Sequence, residues 1–264
     1  MKPDRTPKKA IVSTLPKAAP VSMMSMHFFP NAVTMLALCA GMTAMFYATS
    51  GRISSAIACV MLAAILDACD GRVARATGTS SKFGAELDSL ADVICFGAVP
   101  AFILYQWGLS EFGTLGWFAC LMLPIAAAYR LARFNVMADE PKPTWMSSYF
   151  TGIPAPAGAF LSLLPIFADN STLLSSNQVT ALAFFTLPLV AVLMTSTWPT
   201  FSGKSMGRRA LGVMYVPTFL LLLGAAIGMF YYPWTTLSLS AILYLATLPL
   251  SKWRHTLLSR RTGL

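Results

Sequence analysis

The sequence predicts an all-α integral membrane protein that crosses the bilayer eight times. Hydrophobic residues make up 56% of its 264 residues and charged residues only 11%, whereas a soluble domain carries roughly 25% charged residues. Eight apolar segments follow one another along the chain, and the period-2 alternation of a membrane β-barrel does not recur. Lysine and arginine fall almost entirely on one side of these segments. A chain so poor in charge cannot cover its own surface in water, which excludes a soluble globular protein.

The eight apolar segments give the order of the elements. A helix needs about 20 residues to cross the hydrocarbon core, and most of the segments reach this length, although the fifth and sixth are short unless flanking residues join them. Helices satisfy their own backbone hydrogen bonds within lipid, so each segment is expected to be helical. The segments are Ala32–Ala48, Ile53–Ala76, Phe83–Tyr105, Phe112–Leu131, Ile153–Phe167, Val179–Met194, Ala210–Tyr231 and Trp234–Leu250.

The pattern of lysine and arginine predicts the orientation. When both termini are placed in the cytoplasm, 18 of the 19 basic residues lie on the cytoplasmic side, and only Arg52 lies outside. The expected location is therefore the cell (inner) membrane, with a disordered basic tail at residues 1–26 and a second basic tail at residues 253–264. The net charge of +9 reflects this orientation. We find no basic patch with stacking aromatic residues in the sequence, so nucleic acid is not an expected partner.

An acidic cluster lies at the end of the second segment and the start of the third, where five of the ten acidic residues fall within 26 positions. At 100° per residue, one face of the second helix carries two aspartates, a glycine and an alanine within an arc of about 100°. On the third helix a glycine and two aspartates recur at i, i+4 and i+8. The link between the two helices is short, so the stripes are expected to face each other. The stripe residues are Asp67, Asp70, Gly71 and Ala74 on the second helix and Gly84, Asp88 and Asp92 on the third.

Four carboxylates gathered near the water interface require a counter-charge, because like charges repel and charge inside a membrane helix is costly. Ligands that are all oxygen suit a hard divalent cation such as Mg²⁺ or Mn²⁺. Gly71 and Gly84 leave room for a ligand beside the backbone, and the Arg75 guanidinium is a fork suited to phosphate. The pattern therefore predicts a metal-assisted pyrophosphate site.

Two other interpretations of the acidic cluster remain open at this point. The carboxylates could form interhelical ion pairs with Arg72 and Arg75, although two arginines leave four aspartates undercompensated. They could instead line the cation or proton pathway of a cation-coupled transporter, although such carboxylates usually lie nearer the middle of the membrane.

The same residues resemble the signature of a known family. The pattern Asp67-x2-Asp70-Gly71-x2-Ala74-Arg75-x8-Gly84-x3-Asp88-x3-Asp92 fits the CDP-alcohol phosphatidyltransferases at every fixed position. The resemblance implies a six-helix catalytic core over residues 27–200. Residues 201–252 would then supply a cytoplasmic loop and two additional C-terminal transmembrane helices. The resemblance also implies a homodimer.

Within that family the chain looks most like the members that use L-serine as the acceptor. This likeness implies transfer of the phosphatidyl group from CDP-diacylglycerol to the serine hydroxyl, with release of CMP. The alternative within the family is a different acceptor, either glycerol 3-phosphate or another alcohol. Four stretches carry the likeness: GAELDSLADVICFGAVPA (84–101), RLARFN (130–135), FTGIPAPAGA (150–159) and PTFSGK (199–204).

The resemblance also implies roles for individual residues. Asp67, Asp70 and Asp88 would hold a divalent metal on the donor pyrophosphate. Asp92 would contribute at a second ion and act as the general base. The nucleotide pocket would be lined by Asn31, Thr34, Gly71, Ala74, Arg75 and Gly84.

Further polar residues fall on the same predicted side. Arg130 and Arg133 end the fourth helix, where they either anchor it at the interface or bind the serine carboxylate or a lipid phosphate. Lys204 is open to the same two interpretations, and Asn135 is expected to help orient the acceptor. Glu86 is displaced from the aspartate stripe by about 160°, so we expect it to pair elsewhere.

Overall fold

A computed structural model describes residues 21–78, 81–137, 149–171, 176–201, 224 and 226–262, which are almost entirely helical. A π-helical turn (Val93–Ala98) joins the third helix to the fourth, and a 3₁₀ turn (Leu109–Phe112) precedes the fifth. Two short strands, β1 (Tyr149–Thr151) and β2 (Pro199–Phe201), pair antiparallel. The helices are α1 (Val21–Thr49), α2 (Ile53–Thr77), α3 (Lys82–Asp92), α4 (Val99–Trp107), α5 (Gly113–Val136), α6 (Ala155–Ser162), α7 (Leu164–Asn170), α8 (Ser176–Thr195) and α9 (Pro233–Thr262).

Within the described ranges, five helices are long and apolar enough to cross a membrane. They correspond to the first, second, third, fourth and sixth apolar segments of the sequence, and their helical structure is confirmed. Large apolar side chains stand exposed around the bundle, among them Phe46, Ile125 and Phe185, as expected for a surface that faces lipid. These helices indicate a multi-pass membrane protein. Their bounds are Phe29–Thr49, Ile53–Thr77, Lys82–Trp107, Leu109–Val136 and Gln178–Thr195.

The fifth segment is not the single helix that the sequence predicts, because it divides at Leu163 into α6 and α7. Pro165 lacks the backbone N–H that a continuous helix would direct to the Leu161 carbonyl, so the helical hydrogen bonding is interrupted at this point. Both short helices are deeply buried, with Ile166 and Phe167 fully inaccessible. The segment therefore lies in the interior of the bundle.

The third span is continuous but changes its winding immediately after Asp92. The π turn Val93–Ala98 begins there, and α4 follows with Pro100 in its first turn. Pro100 has no N–H to donate to the Phe96 carbonyl, so one hydrogen bond of a regular α-helix is missing at this point. Gly97 lies against α5, where a Cβ atom would come within 3.0 Å of the Pro124 Cα. The turn thus packs closely on α5 while the acidic residues project from the helix before it.

The bundle is built on two main helix pairs, α1 with α2 and α5 with α8. The faces buried in the first pair are rich in alanine, which lets membrane helices approach closely. The buried alanines of α1 and α2 are Ala37, Ala40, Ala44, Ala48, Ala56 and Ala63. This close packing against α1 fixes the position of the end of α2 that carries the aspartates.

The C-terminal helix α9 is longer than the apolar segment Trp234–Leu250 that predicts it. It begins at Pro233 and continues to Thr262, so most of the predicted basic tail 253–264 is helical. It packs against α7 and β2. The first helix begins at Val21, so residues 21–26 of the tail that the sequence predicts as disordered over 1–26 are helical. Residues 1–20, Lys204 and the first part of the seventh apolar segment lie outside the described residues.

We predict that Gly116→Ala destabilises the protein. A methyl group at this buried position of α5 would overlap the carbonyl oxygen of Leu109, which belongs to the backbone and cannot move aside. The expected loss is about 1–3 kcal/mol in the free energy of unfolding, measured by thermal or denaturant unfolding in detergent micelles. Gly224→Ala is the matched control, because no atom of the described residues lies within 4 Å of that position. Equal stability of the two variants would contradict this account of the packing.

Candidate functional site

Three aspartates from two helices converge at the end of the bundle where α2 ends and α3 begins. Asp67 and Asp70 lie on α2 and Asp88 lies on α3, and one carboxylate oxygen from each lies within 4.8 Å of the others. The predicted facing of the two stripes is therefore confirmed. The Asp92 carboxyl lies beside this group, in hydrogen-bonding contact with Asp67.

The donor set fits a divalent cation. All the groups are carboxylates, which are the oxygen ligands that hard divalent ions prefer. The Asp88 Oδ1 atom is buried, and among the described residues it has no hydrogen-bond partner. A buried carboxylate oxygen without a partner is costly unless a ligand satisfies it. The arrangement could thus hold a metal ion through Asp67, Asp70 and Asp88.

Thr34 of α1 fixes the orientation of one of these carboxylates. Its hydroxyl lies 2.6 Å from Oδ2 of Asp70, to which it donates, and both side chains are buried. The same hydroxyl lies 3.2 Å from the Pro30 carbonyl oxygen. The sequence places Thr34 in the nucleotide pocket. The structure also gives it a direct contact with a candidate metal ligand.

A first cavity, of about 160 Å³, lies between α1, α2 and α3. It brings together all six residues that the sequence assigns to the nucleotide pocket. Its lining is Pro30, Asn31, Thr34, Asp70, Gly71, Ala74, Arg75, Ser81, Gly84, Ala85 and Asp88. We call it the α1-side cavity.

Gly84 is required by the shape of the α1-side cavity. A Cβ atom at this position would lie 3.0 Å from Oδ1 of Asn31 and 3.2 Å from Oγ of Ser81. Ser81 caps α3, because its Oγ accepts the Gly84 N–H at 3.0 Å. Any larger residue would push on the Asn31 amide and on the cap together.

A second cavity, of about 270 Å³, lies on the other side of the aspartates and reaches α5 and the start of α6. We call it the α5-side cavity. It shares Asp70, Gly71, Arg75 and Asp88 with the first cavity, so the two meet at the carboxylates. Its remaining lining is Asp67, Ala68, Ser89, Asp92, Arg130, Leu131, Phe134, Pro154, Ala155 and Pro156.

Arg130 is the buried cation of the α5-side cavity. Its side chain is only 7% exposed, and within the described part of the chain its Nε atom has no hydrogen-bond partner. Asp92 lies near enough to interact with it electrostatically. A buried guanidinium that keeps a free donor and lines a cavity is suited to an anionic ligand.

Arg133 and Asn135 are placed differently from Arg130. The Arg133 guanidinium donates to the carbonyl oxygens of Thr195 at 2.7 Å and Ser196 at 3.1 Å, which close the end of α8. Asn135 Nδ2 donates to Glu86 Oε2 at 3.2 Å. The expected pairing of Glu86 away from the aspartate stripe is therefore confirmed. Neither Arg133 nor Asn135 belongs to the described lining of the two cavities.

Sequence reasoning missed two serines of the site. Ser81 could have been found as a helix N-cap, since it stands immediately before the third apolar helix and three residues before Gly84. Ser89 lines the α5-side cavity and lies 3.1 Å from Asn135 Nδ2. Nothing in the spacing of α3 indicates that contact, because it depends on how α5 packs. Lys204 lies outside the described residues.

Comparison with known proteins places the site in a family. The profile of the CDP-alcohol phosphatidyltransferases matches residues 27–185. A relative from Mycobacterium leprae is 44% identical over 137 residues, which are 52% of this chain and 45% of the relative. A Helicobacter pylori relative is 40% identical over 178 residues, or 67% of this chain and 73% of the relative. One from Methanocaldococcus jannaschii is 31% identical over 210 residues, or 76% and 92%.

All three relatives are named CDP-diacylglycerol–serine O-phosphatidyltransferase. The chain spans about half the length of the mycobacterial relatives. The profile match covers α2 and α3 completely, and with them every residue of the aspartate signature. The family resemblance drawn from the sequence is confirmed: the chain belongs to the CDP-alcohol phosphatidyltransferase family.

Proposed function

We propose that this protein transfers the phosphatidyl group of CDP-diacylglycerol to the hydroxyl of L-serine, which yields phosphatidylserine and CMP. The family, the names of the relatives and the chemistry of the site all support this reaction. The single observation that carries the proposal is the meeting of two cavities at one carboxylate cluster. A phosphatidyl transfer needs a donor and an acceptor on opposite sides of one phosphorus atom, and two joined cavities provide room for both.

The α1-side cavity is the proposed donor site. Gly71 and Gly84 leave space beside the backbone for the nucleotide, and Asn31 offers an amide for hydrogen bonding. Arg75 lines both cavities, so its guanidinium can bind the donor phosphates where the two cavities meet.

The carboxylates are the proposed metal ligands, with Asp67, Asp70 and Asp88 at one divalent ion and Asp92 contributing at a second. The ion is Mg²⁺ or Mn²⁺, since both prefer oxygen ligands. When bound, these ions neutralise charge on the donor phosphates and on the departing CMP.

The α5-side cavity is the proposed acceptor site. Arg130 is buried there, its Nε atom has no hydrogen-bond partner among the described residues, and a guanidinium binds a carboxylate such as that of serine through two parallel hydrogen bonds. Pro154 and Pro156 also line this cavity. Arg133 and Lys204 stay candidates for a further contact with an oxyanion, and Asn135 for orienting the acceptor. The hydrogen bonds of Arg133 to the carbonyl oxygens of Thr195 and Ser196 also give it a structural role at the end of α8.

Asp92 is the proposed general base. It lines the α5-side cavity between the aspartate cluster and Arg130, where an acceptor hydroxyl would lie. Its carboxylate takes the proton of the serine hydroxyl as the serine oxygen forms a bond to the phosphorus that carries diacylglycerol. The bond from that phosphorus to the bridging oxygen breaks, and its electron pair leaves with CMP.

The proposed setting is the inner leaflet of the cell membrane, with both termini in the cytoplasm. The aspartate cluster lies at the helix ends that carry Arg75, Lys82 and Arg130, whereas Arg52 lies at the opposite end of α2. This distribution follows the positive-inside rule. Acyl chains can then stay in lipid while serine enters from the cytoplasm and CMP is released to it. A core of six membrane helices over residues 27–200, two further C-terminal membrane helices and a homodimer complete the proposal.

The reaction can be tested with purified protein in mixed micelles. Labelled serine, CDP-diacylglycerol and Mg²⁺ or Mn²⁺ are expected to give labelled lipid and CMP in equal amounts, and a chelator is expected to abolish both. Glycerol 3-phosphate in place of serine is the matched control. Product with glycerol 3-phosphate and none with serine would overturn the acceptor. Solute uptake without dependence on CDP-diacylglycerol would instead favour a cation-coupled transporter.

Asp92→Asn is expected to lower kcat by about 10²–10⁴-fold, the usual contribution of a general base. The amide has nearly the same size as the carboxylate but cannot accept the acceptor's proton at neutral pH. Binding of CDP-diacylglycerol, measured by equilibrium binding of labelled lipid, should persist. Glu111→Gln is the control, because Glu111 is exposed in the 3₁₀ turn away from both cavities. Retained turnover in Asp92→Asn would assign the base to another residue.

Thr34→Val is expected to weaken metal binding by about 10–100-fold, as is usual when a residue that orients a metal ligand is removed. Valine keeps the shape but removes the hydroxyl that donates to Asp70. Thr34→Ser should retain most of the affinity. The measurement is Mn²⁺ binding without substrate, followed by electron paramagnetic resonance.

Thr43→Val is the matched control for Thr34→Val. Thr43 lies on the same helix, and its hydroxyl bonds only to the Cys39 carbonyl among the described contacts. Unchanged Mn²⁺ affinity in Thr34→Val would remove Thr34 from the metal site.

A further inference from the structure

Arg133, in the last turn of α5, holds the end of another helix. Its Nη1 atom donates to the Thr195 carbonyl oxygen at 2.7 Å, and its Nη2 atom donates to the Ser196 carbonyl oxygen at 3.1 Å. The last carbonyl groups of an α-helix have no partner within the helix, and they form the negative end of its dipole. A single guanidinium therefore satisfies two such groups with charge-assisted hydrogen bonds, and it ties the end of α8 to α5.

The end of α8 in turn lies against the backbone of the turn that precedes α6. The Ile153 N–H donates to the Leu193 carbonyl oxygen at 3.3 Å, and the Gly152 N–H donates to the Trp198 carbonyl oxygen at 2.8 Å. Thr200 Oγ1 donates to the Gly152 carbonyl oxygen at 2.9 Å. The end of α8 and the strand that follows it thus hold this turn through three hydrogen bonds.

Gly152 allows the close contact between the turn and the end of α8. Its φ of +76° is a left-handed conformation that favours glycine. A Cβ atom there would lie 2.6 Å from the Met194 carbonyl oxygen and 2.9 Å from the Ser196 carbonyl oxygen. The Ser196 oxygen is also the one that accepts from Arg133 Nη2. The guanidinium and Gly152 therefore pack against the same carbonyl group.

The residues that follow the turn line the α5-side cavity, and we call them the α6 wall: Pro154, Ala155 and Pro156. Each proline ring fixes the φ angle of its own residue, and the side chain of Ala155 is fully buried. The wall therefore has little freedom to move independently of Gly152. Arg130 lines the same cavity from α5, one turn before Arg133. The end of α5 thus contacts the cavity directly through Arg130 and supports its α6 wall through Arg133.

We propose that Arg133 is a positioning residue of the acceptor site: through the end of α8 it holds the α6 wall in place, and this wall limits the size of the acceptor. Arg133 is not part of the described lining of either cavity, which favours an action through the protein over a contact with the ligand. The inference rests on the proposed function, because it takes the α5-side cavity as the place of the acceptor. It gives Arg133 a role in the choice of acceptor and none in donor binding.

Arg133→Gln tests the inference, with L-serine and L-homoserine compared as acceptors. Homoserine has one methylene more, and a fitted pocket discriminates by about 10–200-fold on one methylene. Glutamine lacks the charge and the fork that hold the two carbonyl groups, so the α6 wall should loosen. We expect the ratio of kcat/KM for serine to kcat/KM for homoserine to fall about three- to tenfold. The KM for CDP-diacylglycerol should change little.

Two results with these acceptors would overturn the proposal. An equal loss with serine and homoserine in Arg133→Gln would indicate a contact with the carboxylate that both acceptors share, or a merely structural role. A wild-type protein that does not prefer serine over homoserine would show that the α6 wall does not limit the size of the acceptor.

Thr200→Val tests the same wall from the strand side of the turn. Valine keeps the shape of the side chain but removes the hydroxyl that donates to Gly152. The serine-to-homoserine ratio should fall here as well, and the effects of Thr200→Val and Arg133→Gln should not add in the double variant, because both act on one wall. Additive effects would overturn the proposal. An unchanged ratio in Thr200→Val would do so too, even if Arg133→Gln fails to fold.

Arg52→Gln is the matched control. Both guanidiniums lie over a tyrosine ring, at 5.8 Å from the Tyr129 centroid for Arg133 and at 4.8 Å from the Tyr47 centroid for Arg52. Arg52, however, lies at the end of α2 away from the aspartates. Its substitution should leave the serine-to-homoserine ratio unchanged. A similar fall in Arg52→Gln would show a general effect of lost charge and overturn the specific role of Arg133.

The wild-type protein separates this inference from the proposed function. Absence of labelled lipid from serine in the wild type would defeat the proposed function itself. Normal serine transfer in the wild type, with an unchanged serine-to-homoserine ratio in Arg133→Gln, would defeat only the positioning role of Arg133.

Discussion

The site depends on holding like-charged carboxylates together at the ends of helices that lie in lipid. Oxygens of Asp67, Asp70 and Asp88 lie within 4.8 Å of one another. Their mutual repulsion is stronger in such surroundings than in water, because less solvent is present to screen it. The carboxylates are held in position despite this repulsion, because α1 and α2 pack closely, Thr34 donates a hydrogen bond to Asp70, and Ser81 caps the helix that carries Asp88. In the proposed reaction, a divalent cation held by these carboxylates would complete the balance of charge.

The two cavities provide separate sites for the donor and the acceptor of the proposed reaction. The α1-side cavity is formed by the first three helices, and the α5-side cavity is formed by α2, α3, α5 and the start of α6. Only Asp70, Asp88 and their neighbours Gly71 and Arg75 belong to both. In the proposed reaction, donor and acceptor therefore meet at a single group of residues, and most of the binding surface of each is separate. Such an arrangement fixes the reacting atoms in position and lowers the entropic cost of bringing them together.

Most of the aspartate cluster could be predicted from the sequence, because it follows from local geometry. The spacing of Asp88 and Asp92 places them on one helical face, and the short link to α2 places that face opposite Asp67. The contacts of Arg133 with the end of α8 and of Asn135 with Glu86 could not be predicted. They depend on how distant helices pack, and a single sequence holds no periodic signal for that.

The interruptions of the helices could be predicted only in part. Pro165 is visible in the sequence and accounts for the division of the fifth segment, yet hydropathy alone favours one continuous helix there. The sequence leaves the role of Arg130 open between an anchor and a ligand contact. Its burial, and an Nε atom that has no hydrogen-bond partner among the described residues, favour the second interpretation, and neither property can be obtained from the position of an arginine at a helix end.

The π turn between Asp92 and Val99 determines how the two halves of the third span are rotated about their common axis. A π turn contains one residue more than an α turn, and each residue of an α-helix corresponds to 100° of rotation. If the same residues were wound as a regular α-helix, one half of the span would be rotated against the other by about that angle. Either Asp92 would turn away from Asp67, or the buried side chains of Ile103 and Leu104 would swing out toward lipid. The extra residue thus sets the angular offset that lets one continuous helix serve both the acidic site and the apolar core.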